Sequence, residues 1–276
     1  MSNQVLTLSP LGQSVSYKNN YSPDLLCAIP RSTQRQTIIS KHAYSLQGVD
    51  IWNGYEISWL NSTGKPIVAR AVFTFNSQSP NLIESKSFKL YLNSYNQTCF
   101  DSFETVQQLL AKDLSEAAQD NVEVKLIDPQ NWAFNLPSPN GFYLDQLDIS
   151  VSEYNYAPHL LKTSQSGEIV EEILYSHLLK SNCLVTHQPD WGSIIITYSG
   201  KQIDHEALLS YLISFRNHNE FHEHCVERIT IDLLDHCQPN QLLVEANYTR
   251  RGGLDINPIR AYKYPLPTIH HRVARQ

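Results

Sequence analysis

The order of strand-like and helix-like segments repeats once along the chain, and that repetition limits the fold more than any single motif. Tyr55–Leu60 alternates apolar and polar residues as a strand does. Lys65–Phe75 alternates again after the Asn61–Gly64 turn, which predicts a hairpin. Leu82–Leu92, with Glu84 and Ser85 in its first turn, reads as the start of a helix. Phe103–Ala118 carries Val106, Leu109, Leu110 and Leu114 at helical spacing, and Asn121–Ile127 returns to alternation. In the second half Asp148–Glu153 and Gly192–Tyr198 read as strands, with Val170–Leu179 and Cys183–Thr186 extended between them. His205–Asn219 and Phe221–Cys237 read as helices, from Leu208, Leu212 and Phe215 and from Cys225, Ile229 and Leu233. Gln241–Thr249 closes the chain's pattern as a strand. Two halves with this element order predict an α+β protein made by duplication. The turn-rich stretch 128–141 serves as a linker, and the Ser-, Asn-, Gln- and Pro-rich residues 1–50 read as an extended arm that wraps a neighbour, with ordered structure starting near Trp52. The expected organisation is an arm at 1–50, a first module at 51–140 and a second at 141–276.

At 276 residues, 41% hydrophobic and 17% charged, the chain can fill two ordinary cores. Fifteen tyrosines against one methionine suit a stiff, β-rich interior. A formal charge of −6 argues against binding nucleic-acid backbone, so any local basic patch is better matched to a small anion such as a phosphate. Five cysteines at irregular spacing form no CxxC pair, which removes a zinc knuckle and a thioredoxin-type motif. The polar, uncharged start shows no signal-peptide pattern, and no apolar run approaches the roughly 20 residues of a membrane span. A cytoplasmic protein without a membrane partner is expected.

Chemistry concentrates in two stretches of the second half. Cys183 is followed closely by His187, Gln188, Asp190 and Trp191, polar company for a thiol on an expected strand. A free thiol has a pKa of about 8.5, so it needs a nearby base or cation to act as a nucleophile. A carboxylic acid in reach can then protonate whatever the sulfur attacks. A buried structural thiol fits Cys183 as well; Cys225 and Cys237 fit only that description, on the apolar stripe of a helix. Asp190 reads either as a turn residue or as an acid held beside the Trp191 indole, where it would keep its proton more tightly. His218–His224 contains several acids and imidazoles, including His222 and Glu223. His218 and His222 have the four-residue spacing of a zinc helix but not the HExxH order, and a solvated helix face accounts for them better than a metal site.

Two basic groups stand apart from this. Lys86 and Lys89 fall three apart at an expected helix start, where exposed N–H groups favour an anion, although a charged helix face would give the same letters. Arg250-Arg251-Gly252-Gly253 offers two guanidiniums beside backbone that a ligand can approach, a phosphate clamp by composition. With no GxGxxG in the chain, a nicotinamide cofactor would bind without a Rossmann unit.

Four stretches taken together are similar to one family: Glu84–Tyr91 (Glu-Ser-Lys-Ser-Phe-Lys-Leu-Tyr), Ser181–Gly192 (Ser-Asn-Cys-Leu-Val-Thr-His-Gln-Pro-Asp-Trp-Gly), Phe221–Glu223, and Arg250–Pro258. In this order they resemble the NADPH-dependent 7-cyano-7-deazaguanine reductases, the QueF nitrile reductases, in their long two-module form. The resemblance implies tandem tunnelling-fold modules, with antiparallel sheets carrying helices on one face and forming a barrel as chains associate into a homodimer. It implies reduction of a nitrile to an aminomethyl group by two NADPH, in queuosine tRNA-modification biosynthesis, without metal or flavin. Cys183 would form a covalent thioimide, Asp190 would protonate the nitrile nitrogen and His222 would orient or share that proton. Ile83, Glu84, Ser85, His222 and Glu223 would bind the deazaguanine ring. Ser85, Lys86, Lys89, Arg251 and Gly252 would bind NADPH. Direct contact with nucleic acid is not implied.

Three other activities compete. A purine- or pterin-binding cyclohydrolase of the same fold would need zinc ligands that the sequence lacks. A silent purine-binding module would have no use for the Cys183 thiol. A cysteine-dependent nitrile or amide hydrolase differs only in using water where the reductase uses hydride.

Overall fold

Alternation and helical spacing turn directly into elements in the computed structural model, which describes residues 18–131, 140–268, 270 and 272–276. These residues group into two units, one of residues 18–37, 50–131 and 250–255, the other of residues 38–49, 140–249 and 256–276. The architecture is mixed α+β with mainly antiparallel pairing.

In the first unit, β1 (Ala28–Pro30) precedes a short helix α1 (Arg31–Arg35). Strands β2 (Gln47–Leu60) and β3 (Pro66–Asn76) follow, with the first residues of β2 counted in the second unit. Asn61 shapes the turn between them by accepting the N–H groups of Thr63 and Lys65 on its side-chain oxygen. Ala69, Ala71, Phe73 and Phe75 of β3 all face inward, the expected period of two. Next come β4 (Asn81–Ile83), α2 (Ser85–Asn93), α3 (Phe103–Ala118) and β5 (Val122–Ile127). Ser102 caps α3 through the Thr105 N–H at 3.1 Å, and Gln119 ends it in the left-handed conformation, φ 57°. β5 pairs antiparallel with β3, which in turn neighbours β2, while β1 and β4 form a separate ribbon.

The second unit orders its strands β11-β10-β9-β7-β6: β6 (Phe142–Tyr143), β7 (Ile169–Ser176), β9 (Pro189–Lys201), β10 (Gln241–Tyr248) and β11 (Leu254–Tyr262). A short β8 (Lys180–Asn182) pairs with β9 off this path, and only β6 and β7 among the described pairs run parallel. Helices α4 (His205–Ser214) and α5 (His222–Cys237) cover one sheet face. Ile194, Ile196 and Tyr198 of β9 and Leu242, Val244 and Ala246 of β10 pack there against Leu208, Leu212, Val226, Ile229 and Leu233.

Strand alternation turns Glu245 of β10 to the face away from that core, where burial pushes its carboxyl up to about 7. A folded pKa above the unfolded value means that the stability this carboxyl contributes is full below about pH 4.5 and is lost as pH rises through 7. Glu245→Gln removes the titration, so it should melt higher than the parent chain at pH 8 and nearly alike at pH 4.5. The gap in stability is bounded at about 3 kcal/mol. Equal melting differences at both pH values would show that Glu245 does not titrate in this window.

Several sequence expectations are corrected. Order begins well before Trp52: residues 18–50 include β1, α1 and the start of β2. Polar contacts hold that stretch, which is why it lacks apolar periodicity. The Arg31 guanidinium meets Asp50 at 2.7 Å in a fully buried pair, Tyr21 donates to Asp113, and Tyr44 and the Lys41 N–H donate to Asp235. Residues 1–17 of the expected arm, and 132–139 of the expected linker, lie outside the described residues. Leu82 and Ile83 end a strand, and the helix starts only at Ser85. Asp148–Glu153 alternates but pairs with no strand, and Cys183–Thr186 is a turn. The helix begun at His205 stops at Ser214, followed by one tighter turn over Phe215–Asn217. Strand β11 went unread because Pro258 interrupts the alternation begun by Leu254, Asp255, Ile256 and Asn257.

Candidate active site

Cys183 sits at the closed end of the β8–β9 hairpin. Asn182 pairs with Pro189 and Ser181 with Asp190, and the chain between them folds back at once. The Cys183 N–H donates to the Gln188 carbonyl at 2.8 Å and the His187 N–H to the Cys183 carbonyl at 3.0 Å, with His187 at φ 55°. The thiol is half-buried. Cys225 and Cys237, by contrast, are buried, and burial pushes each thiol up to about 12. They keep the structural reading.

The same hairpin is stitched to the start of α5. The Asn182 N–H donates to the His218 carbonyl at 2.8 Å, and the Glu220 N–H donates to the Asn182 carbonyl at 3.0 Å. His222 opens α5, and its Nε2 lies 3.6 Å from Oδ1 of Asp190, whose side chain is 2% exposed. That is ion-pair range and slightly long for a hydrogen bond. The imidazole is held edge-on against the Tyr248 ring, 4.2 Å between centroids at 84°. Tyr248 reaches this position because position 192 is glycine: a Cβ there would meet the tyrosine ring at 3.3 Å. Glu223 is buried in the first turn of α5, where the helix dipole favours a carboxylate, and Phe221 offers no side-chain cap. A buried carboxyl beside an imidazole, next to a half-buried thiol's hairpin, can hold and deliver a proton.

Two expectations change here. The indole does not lie against the acid, since alternation along β9 turns Trp191 to the opposite face, exposed and with the Arg216 guanidinium 5.7 Å from its ring. Nor do His218 and His222 share a helix face, because His218 follows the Phe215–Asn217 turn and lies outside α5. His222 is pinned against Tyr248 and is no part of a solvated helix face. Among the described residues, no group of three His, Cys, Asp or Glu could hold a metal ion.

The first unit gathers the other motif residues. Ile83 ends β4, and Glu84 caps α2 with both oxygens: Oε1 accepts the Lys86 N–H at 2.7 Å and Oε2 the Ser87 N–H at 2.8 Å. These N–H groups are therefore taken by Glu84 and are not open to an anion, though each carboxylate oxygen keeps acceptor capacity. Ser85 Oγ lies 3.5 Å from Glu84 Oε1. Gly252 and Gly253, at φ 58° and 82°, form a two-residue turn closed by the Arg251 N–H on the Leu254 carbonyl at 2.8 Å. A Cβ on Gly252 would stand 3.1 Å from Lys89 Cδ, so the lysine stem lies across bare backbone and brings its ammonium to the Arg251 turn. Tyr55 braces that turn, donating its N–H to the Gly253 carbonyl at 3.0 Å and its hydroxyl to Asp255 at 2.5 Å. Arg250 lies 4.5 Å over its ring. Cations around glycine backbone suit a phosphate-bearing ligand, so these residues fit NADPH.

Comparison with known proteins decides the family. Residues 17–126 match the family described as nitrile reductase, 7-cyano-7-deazaguanine-reductase N-term, and residues 189–266 match the QueF-like protein family. NADPH-dependent 7-cyano-7-deazaguanine reductases are 51% identical in Bordetella pertussis (98% of this chain, 99% of the relative), 54% in Chromobacterium violaceum (97% and 96%) and 56% in Cupriavidus taiwanensis (97% and 98%). The chain belongs to this reductase family.

The reductase N-terminal match holds Glu84–Lys89, and the QueF-like match holds Asp190, His222, Glu223 and the Arg251–Gly252 turn; Cys183 lies between the two. Sequence reading passed over Tyr248, Glu220, Arg228 and the Tyr55–Asp255 brace. Only Glu220 carried a signal, as one more acid in the His218–His224 run.

Proposed function

We propose that the protein reduces the nitrile of 7-cyano-7-deazaguanine to an aminomethyl group, with NADPH as co-substrate, through a covalent thioimide on Cys183. The observation that carries the mechanism is the buried Asp190 carboxyl beside His222, one strand pair from the closed end of the hairpin that carries Cys183. The Cys183 thiolate adds to the nitrile carbon while one π pair of the triple bond moves to nitrogen and takes a proton from Asp190. His222 orients Asp190 and shares the proton. NADPH, when bound, supplies one hydride for each of two reductions. Breaking of the C–S bond between them returns the thiolate. Ile83, Glu84, Ser85, His222 and Glu223 seat the deazaguanine ring, whose N–H edge matches carboxylate acceptors. Ser85, Lys86, Lys89, Arg251 and Gly252 hold NADPH. Written this way, the chemistry calls on no metal or flavin.

The finer reading follows the family resemblance: tandem tunnelling-fold modules, a homodimer whose sheets close into a barrel, and a cytoplasmic step of queuosine biosynthesis that acts on the free base and not on nucleic acid. A first module ending near residue 140 and a second beyond it fit that organisation. No helix among the described residues is long and apolar enough to cross a membrane.

Mixing the protein with 7-cyano-7-deazaguanine and NADPH tests the activity. Two NADPH should be oxidised per nitrile, with an amine as product. A carboxylate or amide product without NADPH loss would mean a hydrolase. Arg251→Ala should raise the NADPH KM about tenfold to a hundredfold and leave that for the nitrile nearly unchanged, the cost of one charge-assisted contact. A shift in the nitrile KM alone would misplace the cofactor site.

A further inference from the structure

We infer that Glu220 is a positioning residue for the covalent step, one that fixes Cys183 against the start of α5. The inference rests on Cys183 being the nucleophile. Glu220 is 2% exposed, and its carboxylate meets two side chains. Its carboxylate accepts Arg228 Nε at 3.0 Å and Nη2 at 2.7 Å, a forked pair, and lies 3.0 Å from His218 Nε2. These groups hold its carboxyl below the usual range although burial pushes the other way. Arg228 belongs to α5 itself and is anchored in turn, 5.1 Å over the ring of Tyr156, whose hydroxyl donates to Asp232.

What the clamp holds is the register between two parts of the site. His218 and Glu220 are the two residues whose backbone brackets Asn182, and Asn182 directly precedes Cys183. On the other side, Glu220 precedes Phe221 and His222. A carboxylate locked to α5 therefore sets where the hairpin carrying the thiol meets the helix carrying the imidazole. A second tie acts on the same residue: Lys180 Nζ donates to Asn182 Oδ1 at 2.6 Å and to the Arg216 carbonyl at 2.5 Å. Neither Glu220 nor Lys180 is placed against substrate or cofactor in the proposed chemistry. Their effect passes through Asn182.

Reacting atoms displaced by about 1 Å lose on the order of a hundredfold in rate. The test follows the Cys183 adduct with 7-cyano-7-deazaguanine, without NADPH, by intact-protein mass against time, in the full chain and in Glu220→Gln and Lys180→Met. Glu220→Gln keeps the volume and removes the charge. Lys180→Met leaves the buried pair intact, so it carries the test should the first variant fail to fold. Loss of folded protein lowers the amplitude of the adduct, whereas misplacement lowers its rate. We expect full amplitude with a rate about a hundredfold lower for Glu220→Gln, a smaller drop for Lys180→Met, and an unchanged KM for NADPH in both. Wild-type adduct rates in the folded variants overturn this inference alone. A parent chain that forms no adduct overturns the nucleophile assignment, and the inference falls with it.

Discussion

Replacing Cys183 by alanine is expected to abolish turnover and adduct formation while the fold persists. An essential nucleophile is worth on the order of a millionfold in rate, since nothing else on the chain replaces the bond it forms. The fold should be indifferent: the thiol is half-buried in a turn, and the backbone bonds that shape that turn do not involve the side chain. Intact-protein mass of the parent chain with the nitrile and no NADPH should rise by one substrate, and that of Cys183→Ala should not. The remaining thiols make the experiment decisive. Cys225 and Cys237 are buried with their thiols pushed up to about 12, and burial together with Glu84 raises Cys27 as well. Only Cys99 is exposed. An adduct that survives in the alanine variant would point to it and move the chemistry away from the hairpin.

Asp190→Asn is expected to bind the ring as before and to form the thioimide about a hundredfold to ten-thousandfold more slowly, the usual worth of a positioned proton donor. The amide has nearly the same shape and fits the same 2%-exposed site, yet it cannot give a proton to the nitrile nitrogen. His222, 3.6 Å away, remains in place and gives the variant whatever rate it keeps. Single-turnover adduct kinetics beside equilibrium binding of the nitrile separate the two effects. Adduct formation at the parent rate would reduce Asp190 to a structural carboxylate on β9.

Much of the fold was readable where one periodicity dominates. Phe103–Ala118 shows its helix through Val106, Leu110 and Leu114, and β3 shows its strand through Ala69, Ala71, Phe73 and Phe75. The pattern failed where pairing or polar contacts decide. Asp148–Glu153 alternates without a partner strand, and residues 18–50 are held by an ion pair and tyrosine hydrogen bonds that no hydrophobic pattern records. In the site, residue types and motif order were legible, and the family comparison bears out the recognition built on them. Proximity was not. Asp190 and His222 are far apart in sequence and meet because Asn182 joins the hairpin to the segment before α5. The capping role of Glu84 was hidden for another reason: a carboxylate before a helix reads alike whether it serves the helix or a ligand.

The pairing of β9 determines where this protein can change length. From Gly192 to Ser199 every residue of β9 is matched one-to-one with β10, so that the side-chain direction at Asp190 continues the alternation of a long ladder. One residue inserted between Trp191 and Gly192 would swing the acid out to solvent and turn Trp191 inward, inverting both at a stroke. The turn at 183–188 is under no such rule. Residues added or removed at 184–187 would leave the acid's bearing intact but reshape the turn that carries Cys183, so the ladder fixes the acid and the length of the turn fixes the thiol.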